Sequence, residues 1–311
     1  MDIYEQLRNK IGEAVDRNRA DGILLSGGLD TSILAFIGKP KIAFTVALKG
    51  SQASDLYYSE KVSRLLGMEH KKIEFTSSEA FDALPEVIGI LKTFDLALPN
   101  DLSIYFALKL AKENNVSAVM TGDGSDELFA GYSYMASLSP GDLERYIRGL
   151  SNNWHFSANG LGRALDIEIK QPFLDNNFVR FALDISPELK VRQGMGKYIL
   201  RKSFEDLMPQ EIIWRKKEPI EHGSGSSELR HMISNMVSPE EFQLGTEKTG
   251  IRFINKEHFF YYRVYEEVVG QIPKAKDDED RCPCCGARIY RAHCAVCGFS
   301  PSLEQYLSSL R

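Results

Sequence analysis

Two spacings of hydrophobic positions alternate along the first 140 residues. Apolar residues at Ile3, Leu7, Ile11 and Val15 predict a helix over residues 4–19. Short apolar runs predict strands at residues 23–25, 41–48, 71–75 and 117–120. Intervening segments predict helices at residues 55–66, 78–92 and 102–113, the second of them capped by Ser78. This alternation predicts an α/β fold in which a parallel, twisted sheet carries helices on both faces.

The pattern changes after residue 140. Residues 142–267 read as mainly helical, and a charged, apolar-poor stretch that follows is typical of a linker. Leu303–Leu310 predicts one more short helix. We therefore expect five parts: an α/β core at 1–140, a mainly helical part at 141–272 that completes the same domain, a linker at 273–281, a small cysteine-rich ribbon at 282–300 and a C-terminal helix at 301–311.

Composition excludes several classes of protein. The 311 residues carry a formal net charge of −5, which does not favour general nucleic-acid binding. No apolar run approaches the roughly 20 residues that span a bilayer. The first residues, Met1-Asp2-Ile3, lack the order of a secretory signal. We expect a cytoplasmic protein with no membrane partner.

All five cysteines lie in the tail, where two C-x-x-C-G pairs predict a metal site. Cys282, Cys285, Cys294 and Cys297 supply four thiolates, the ligand set of a closed, structural Zn²⁺ site, with iron as the alternative. Cys284 and His293 are expected to stay outside it. The nearby side chains of Arg281, Arg288, Tyr290 and Arg291 offer a surface for RNA or a protein partner, although a solvated rim is the favoured interpretation.

A first candidate ligand site is Ser26-Gly27-Gly28-Leu29-Asp30-Thr31-Ser32, which ends a strand and opens a helix. Glycines let a phosphate approach the backbone, and the free amides of a helix start favour an anion. Asp30 would repel that phosphate unless a divalent cation lay between them, and so indicates Mg²⁺. The loop is not a P-loop, because a P-loop has a lysine directly after its last glycine and this segment has none. A glycine-rich turn without a ligand is the alternative.

A second candidate loop, from Thr121 to Tyr132, follows the strand at 117–120. Asp123, Asp126 and Glu127 crowd three carboxylates around two glycines, which is costly without a compensating cation. An acidic, solvated loop is the alternative.

These loops and three later motifs resemble one family. The first resembles the SGGxDTS pyrophosphate loop of the ATP-pyrophosphatase superfamily. Gly122-Asp123-Gly124-Ser125-Asp126-Glu127 resembles the second loop of asparagine synthetases. Three further segments resemble, in order, that family's R-x-P-F-L-D, K-x-x-L-R and W-R-x-K-E motifs: residues 171–175, 197–201 and 214–218. The resemblance covers residues 20–230 and implies an adenine nucleotide alpha hydrolase-like fold.

The resemblance also implies roles for individual residues. It implies that ATP contacts residues of both loops and of the second strand, namely Leu25, Ser26, Gly27, Gly28, Asp30, Thr31, Ser32, Val46, Gly122 and Asp126. Asp30 and Asp126 would bind the Mg²⁺ that bridges the phosphates. Lys197 would neutralise the departing pyrophosphate, and Lys217 would complete the phosphate clamp. Asp123 stands where the family has a glutamate and would handle protons from the attacking amine.

The implied activity is an AMP-forming carbon–nitrogen ligation of amino-acid biosynthesis. A carboxylate substrate would be adenylated, with release of pyrophosphate, and ammonia or another amine would then form the amide. The family's glutaminase half is expected to be absent, so free ammonia, a partner amidotransferase or another amine would supply the nitrogen. A homo-oligomer is compatible with these expectations.

Missing arginines distinguish the sequence from the family. No arginine occurs between Arg64 and Arg145, and Lys170 stands where the P-F-L-D motif has one. Because lysine does not reproduce the bidentate binding of a carboxylate by arginine, aspartate is disfavoured as the substrate. Two alternatives stay open: a tRNA-modifying ATP pyrophosphatase with Cys284 as thiol carrier, and a non-catalytic nucleotide-binding scaffold.

Overall fold

A computed structural model describes residues 2–151, 154–289 and 293–309. Tyr290, Arg291 and Leu310, which the sequence analysis named, lie outside the described residues. Five strands within them form one sheet: β1 Gly22–Leu24, β2 Ile42–Leu48, β3 Glu69–Phe75, β4 Ala118–Met120 and β5 Glu168–Lys170. Their order is β3-β2-β1-β4-β5, and every neighbouring pair is parallel.

Helices connect and follow these strands. They are α1 Ile3–Arg17, α2 Leu29–Gly38, α3 Ser54–Leu66, α4 Ser77–Leu91, α5 Leu98–Glu113, α6 Ser125–Leu128, α7 Pro140–Leu150, α8 Ser157–Ala164, α9 Asn176–Leu183, α10 Pro187–Lys190, α11 Tyr198–Phe204, α12 Gln210–Ile213, α13 Ile220–Gly223, α14 Glu228–Asn235, α15 Pro239–Thr249, α16 Lys256–Val268 and α17 Leu303–Ser309. Short 3₁₀ turns lie at Met135–Ser137 and Pro172–Leu174.

The sheet separates two hydrophobic cores. Successive side chains of β2 point to opposite faces, so Phe44 and Val46 join a core with α4, α5 and α16, whereas Ala43 joins one with α1, α2 and α11. All seven residues of β2 are buried, as expected for a parallel strand covered on both faces. The predicted α/β fold, with helices on both faces and a mainly helical second half, is confirmed.

Some element boundaries differ from the prediction. Thr76, and not Ser78, caps α4, because its hydroxyl accepts from the Glu79 amide and the Glu79 carboxylate accepts from the Thr76 amide. The following helix, α5, begins at Leu98, earlier than expected, because Pro99 is favourable in a first helical turn. The strand β5 was not predicted, since its three residues are too few to establish an alternating pattern.

The cysteine-rich tail packs against the first core. Cys282, Cys294 and Cys297 are buried in the core that contains α4 and α16. The amide of Phe94 donates to the carbonyl of Val296 at 2.8 Å, joining the tail to the segment after α4. Along the described residues, none of the helices combines the length and apolarity required to cross a membrane.

Candidate active site

Two loops meet where the strand order reverses. The chain runs from β1 outward through β2 to β3, and on the other side from β4 to β5, so the loops after β1 and β4 lie at the switch point. In parallel α/β sheets this point, at the carboxyl ends of the strands, is the usual ligand crevice. A cleft of about 460 Å³ opens there, lined by both loops, by the first turns of α5 and by the segment between α12 and α13.

The first loop exposes the amino end of α2 to the cleft. Gly27 has a φ of +66°, and a Cβ there would overlap the backbone of Tyr58 and Ser59, so both the conformation and the close approach require glycine. No side chain caps the helix at Gly28. The Ser26 hydroxyl accepts from the Gly28 amide and lies 3.2 Å from the Thr31 hydroxyl. Free amides and two hydroxyls therefore face the position suited to an anion.

Asp30 and Asp126, one from each loop, converge on a single ammonium group. Nζ of Lys197 lies 2.6 Å from Asp30 Oδ2 and 2.7 Å from Asp126 Oδ1. Lys217 donates to the other oxygen of Asp126 at 2.9 Å. The Ser125 hydroxyl donates to Asp30 Oδ1 at 2.6 Å. The two predicted metal-binding carboxylates thus share one point between the loops.

The lysines control the charge of Asp126. Burial by itself would raise the pKa of this carboxyl, but the ammonium groups of Lys197 and Lys217 outweigh it and lower the pKa to about 2. Burial opposes the charge of Lys197 in turn, and the carboxylates of Asp126 and Asp30 raise its pKa above the ordinary value. Asp126 and Lys197 therefore both stay ionised at neutral pH.

The backbone around Lys197 is built for this contact. Lys197 has a φ of +56° as the N-cap of α11, and its amide donates to the Phe129 carbonyl at 2.8 Å. A left-handed conformation at a residue other than glycine costs free energy, and such strain is common at functional sites. At Gly131 a Cβ would overlap both the Asp126 carboxylate and the Lys197 side chain. Glycine at that position lets the ion pair form.

Asp123 is held deeper in the second loop. The Thr121 hydroxyl donates to its Oδ2 at 2.6 Å, and the Gln171 amide nitrogen donates to the same atom at 2.8 Å. Burial raises the pKa of the Asp123 carboxyl. Burial likewise raises the pKa of Glu127, which accepts from the Tyr132 hydroxyl. A carboxyl with a raised pKa, oriented by two donors, is suited to proton transfer.

The structure brings most of the predicted site residues together. Those that line the cleft are Leu25, Ser26, Gly28, Asp30, Thr31, Val46, Gly122, Asp123, Asp126, Lys197 and Lys217. Gly27 and Ser32 do not line it, since Gly27 packs against α3 and Ser32 is fully buried. These positions support the predicted site without testing the role of each residue.

Sequence reasoning missed Arg215. Its guanidinium donates to the Ser26 carbonyl at 3.1 Å and to Asp55 Oδ1 at 2.9 Å, and it lies over the Tyr58 ring. It therefore fixes the first loop against α3. Its place in the segment that resembles the W-R-x-K-E motif was the available signal.

The structure also shows what Lys170 and its neighbour do. Lys170 pairs with Glu168 at 2.6 Å and does not line the cleft. Gln171, the next residue, is the one that reaches Asp123. Asp101, in the first turn of α5, lines the cleft and was not predicted as a site residue.

The four predicted cysteine ligands form a compact cluster. The Sγ atoms of Cys282, Cys285, Cys294 and Cys297 all lie within 4.8 Å of one another, and two of the separations are 3.6 and 3.7 Å. Ligands about 2.3 Å from a tetrahedral ion lie about 3.8 Å apart, so the cluster fits one metal ion. Cys284 is engaged elsewhere, with its Sγ 3.0 Å from the Arg252 carbonyl.

Fold and site together define the class: a parallel α/β protein whose candidate active site lies at the strand-order switch, with a four-cysteine cluster near the C-terminus. The family model described as "Asparagine synthase" matches residues 3–166 and 152–282. The chain belongs to the asparagine synthase family.

Relatives show how much of the family the chain represents. A "Probable asparagine synthetase [glutamine-hydrolyzing]" of Schizosaccharomyces pombe is 32% identical over 290 residues, covering 79% of this chain and 52% of that protein. The mouse (Mus musculus) "Asparagine synthetase [glutamine-hydrolyzing]" is 32% identical over 291 residues, covering 83% and 50%. The chain spans about half the length of the curated relatives it matches.

A solved structure is similar at a lower level. The "U34-tRNA thiolase NcsA from Methanococcus maripaludis with its [4Fe-4S] cluster" aligns with 98% of this chain and 87% of that one, at 13% identity and a TM-score of 0.35. A score this low supports no inference about the site.

Proposed function

We propose that this protein is an ATP-dependent amide-forming ligase that adenylates a substrate carboxylate and releases pyrophosphate. One observation carries the proposal: Asp30 and Asp126, from two different loops, meet at Lys197 inside the cleft. The same two loops also touch through Ser125 and Asp30, which are 95 residues apart in the sequence. Buried carboxylates gathered at one point suit a divalent cation that is shared with phosphates. The free amides at the start of α2 suit the phosphates themselves.

The first step transfers the adenylyl group. The substrate carboxylate oxygen attacks the α-phosphorus, a new P–O bond forms, and the bond to the bridging oxygen of pyrophosphate breaks. Asp30 and Asp126 would hold Mg²⁺, which would neutralise phosphate charge. Lys197 and Lys217 stabilise the charge that grows on the leaving pyrophosphate. The apolar wall formed by Leu25 and Val46 accepts the adenine ring.

The second step forms the amide. The amine nitrogen attacks the acyl carbon of the adenylate, and AMP leaves with the electrons of the broken C–O bond. Asp123 accepts the proton that the nitrogen loses, since Thr121 and Gln171 orient its carboxylate. Its side chain is one methylene shorter than the glutamate of the family, so the nucleophile must lie closer to the second loop.

The nitrogen source follows from the same proposal. Ammonia or another amine enters the cleft directly, or a partner amidotransferase delivers ammonia. A thiol-carrying role for Cys284 in a tRNA-modifying reaction is not supported, because this residue is 8% exposed, packs in the first core and does not line the cleft.

We propose that the cysteine cluster holds Zn²⁺ and is structural. Gly286 and Gly298 have φ of 78° and 72°, and their amides donate to the carbonyls of Cys282 and Cys294, forming the turns expected of C-x-x-C-G pairs. Four thiolates leave no open position for a substrate. The compact spacing of the sulfurs favours a single ion over a cluster of several irons.

An assay of pyrophosphate release tests the function. The chain is incubated with ATP and Mg²⁺ and with amino acids plus ammonia, with other amines, or with bulk tRNA. Release that depends on an acid supports the ligase. Release that depends on tRNA alone favours the base-modifying alternative, and nucleotide binding without any release favours a scaffold.

A further inference from the structure

The cleft has a second wall, beyond the phosphate loops. Asn100 and Asp101 of α5, Ser157 of α8 and Ser224 after α13 line it. The Asn100 side chain accepts from the Glu221 amide at 2.8 Å, and the Ser224 hydroxyl lies 2.9 Å from that of Ser103. These polar neighbours are satisfied within the wall and are uncharged. Of the four residues, Asp101 is the one with an acidic side chain.

No ion pair neutralises Asp101 within the described part of the chain. Its side chain is 6% exposed, the Ser157 hydroxyl donates to its carboxylate, and the charged neighbour is Asp95, which is also acidic. Burial raises the pKa of Asp101 to about 7, as expected for a carboxyl that lacks a cation. An unpaired buried carboxylate is costly, and a cationic ligand would remove that cost.

The lysines and arginines of the cleft come from one stretch of the chain. Among the described residues that line it, the lysines and arginines all lie between positions 197 and 217: Lys197, Arg201, Arg215, Lys216 and Lys217. Lys197 and Lys217 pair with the carboxylates of the loops, and Arg215 pairs with Asp55. The charged group that acts on Asp101 is Asp95, so a second carboxylate beside Asp101 would meet no lysine or arginine of the described lining that offsets the repulsion. The exposed His155 is the remaining basic side chain of that lining.

We propose that Asp101 is a specificity-determining residue that binds an ammonium group of the organic substrate, carried either by the acid or by the protonated form of the amine, which releases one proton to solvent before its nitrogen attacks the adenylate. This inference rests on the proposed function and narrows it. The acid has one carboxylate, which is adenylated, and dicarboxylic acids such as aspartate are selected against.

Binding of matched four-carbon probes tests the inference. 4-Aminobutanoate, butylamine, butanoate and succinate are titrated into the protein with and without α,β-methylene-ATP and Mg²⁺, and binding is followed by calorimetry and ligand-observed NMR. We expect an ammonium-bearing probe to bind more tightly than butanoate or succinate. A bond between an ammonium and a carboxylate is worth about tenfold or more in affinity, so Asp101→Asn should weaken that probe by about this factor.

Variants separate a specific effect from misfolding. Asp101→Glu keeps the charge and should retain the preference. Asp82→Asn removes the charge of an exposed residue of α4 that does not line the cleft, and should change nothing. If 4-aminobutanoate binds and butylamine does not, the ammonium belongs to the acid. If butylamine binds and 4-aminobutanoate does not, the ammonium belongs to the amine.

Three results would overturn the inference: equal or tighter binding of succinate, ammonium binding that Asp101→Asn leaves unchanged, or no binding of either ammonium probe. Failure of the nucleotide analogue to bind would instead count against the proposed function.

Discussion

At the scale of single residues, one ammonium group holds the site together. Lys197 bridges Asp30 and Asp126, and its removal would leave two carboxylates facing each other at the bottom of the cleft. Sequence identified all three, because each lies in a motif. It could not identify Asp101, since an aspartate in the first turn of a helix is ordinary and its burial depends on tertiary packing.

Replacing Lys197 tests its role in the chemistry. Loss of one preorganised cation at the leaving group should lower the rate of pyrophosphate release about 100-fold or more in Lys197→Ala. Lys202→Ala is the matched control on the same helix, because Lys202 pairs with Glu205 and lies outside the cleft. Equal rates in both variants would remove Lys197 from the mechanism.

The raised pKa of Asp101 predicts a pH-dependent stability. Burial raises the folded-state pKa of Asp101 from 3.8 to about 7, so the carboxyl ionises first in the unfolded chain and stability falls as the pH rises from about 4 to about 7. Asp101→Asn cannot ionise, so its stability should not fall in this way. Relative to the wild type it should gain about 2 kcal/mol between pH 5 and pH 8, because each unit of a pKa shift corresponds to about 1.4 kcal/mol. Denaturant unfolding at both pH values measures this difference. A gap that does not vary with pH would contradict it.

At the scale of elements, the predictable features were those with a strong local signal. The buried strand β2, the amphipathic helix α1 and both glycine loops followed from spacing and motif. The strand β5 and the packing of the tail against α4 and α16 did not, because they depend on contacts between distant segments. The proposed division at 273–281 remains a prediction, although Ala275 in that stretch is buried and its amide donates to Gly286.

Replacing Gly27 tests whether the first loop needs the backbone conformation that only glycine adopts easily. Gly27→Ala should distort the loop, because the positive φ and the contact with α3 both exclude a Cβ. We expect at least tenfold weaker binding of α,β-methylene-ATP. Gly12→Ala in α1, where a Cβ meets nothing within 4 Å, should bind normally. Normal nucleotide binding by Gly27→Ala would show that the loop does not contact the phosphates.

The metal-bound cysteine cluster should stabilise the fold of the whole protein as well as its own segment. Because it packs in the core with α4 and α16, Cys285→Ser or metal removal should lower the melting temperature of the protein by several degrees, and metal analysis should find one zinc per chain. Cys284→Ser should keep the metal, since Cys284 instead contacts the Arg252 carbonyl. Loss of metal from Cys284→Ser, or none in the wild type, would contradict this assignment.

At the scale of the whole molecule, the proposed activity depends on two loops that surround one triphosphate. The sheet brings together the ends of β1 and β4, and α11 adds the lysine that both loops share. In the proposed mechanism, this arrangement would expose the α-phosphorus of ATP to a carboxylate and make pyrophosphate the leaving group.

The products formed from ATP show which of its phosphorus atoms is attacked. With an accepted acid and amine, phosphorus NMR and chromatography should find AMP and pyrophosphate in equal amounts, matched by the amide formed. Formation of ADP and orthophosphate would show that the γ-phosphorus is attacked and would contradict the mechanism.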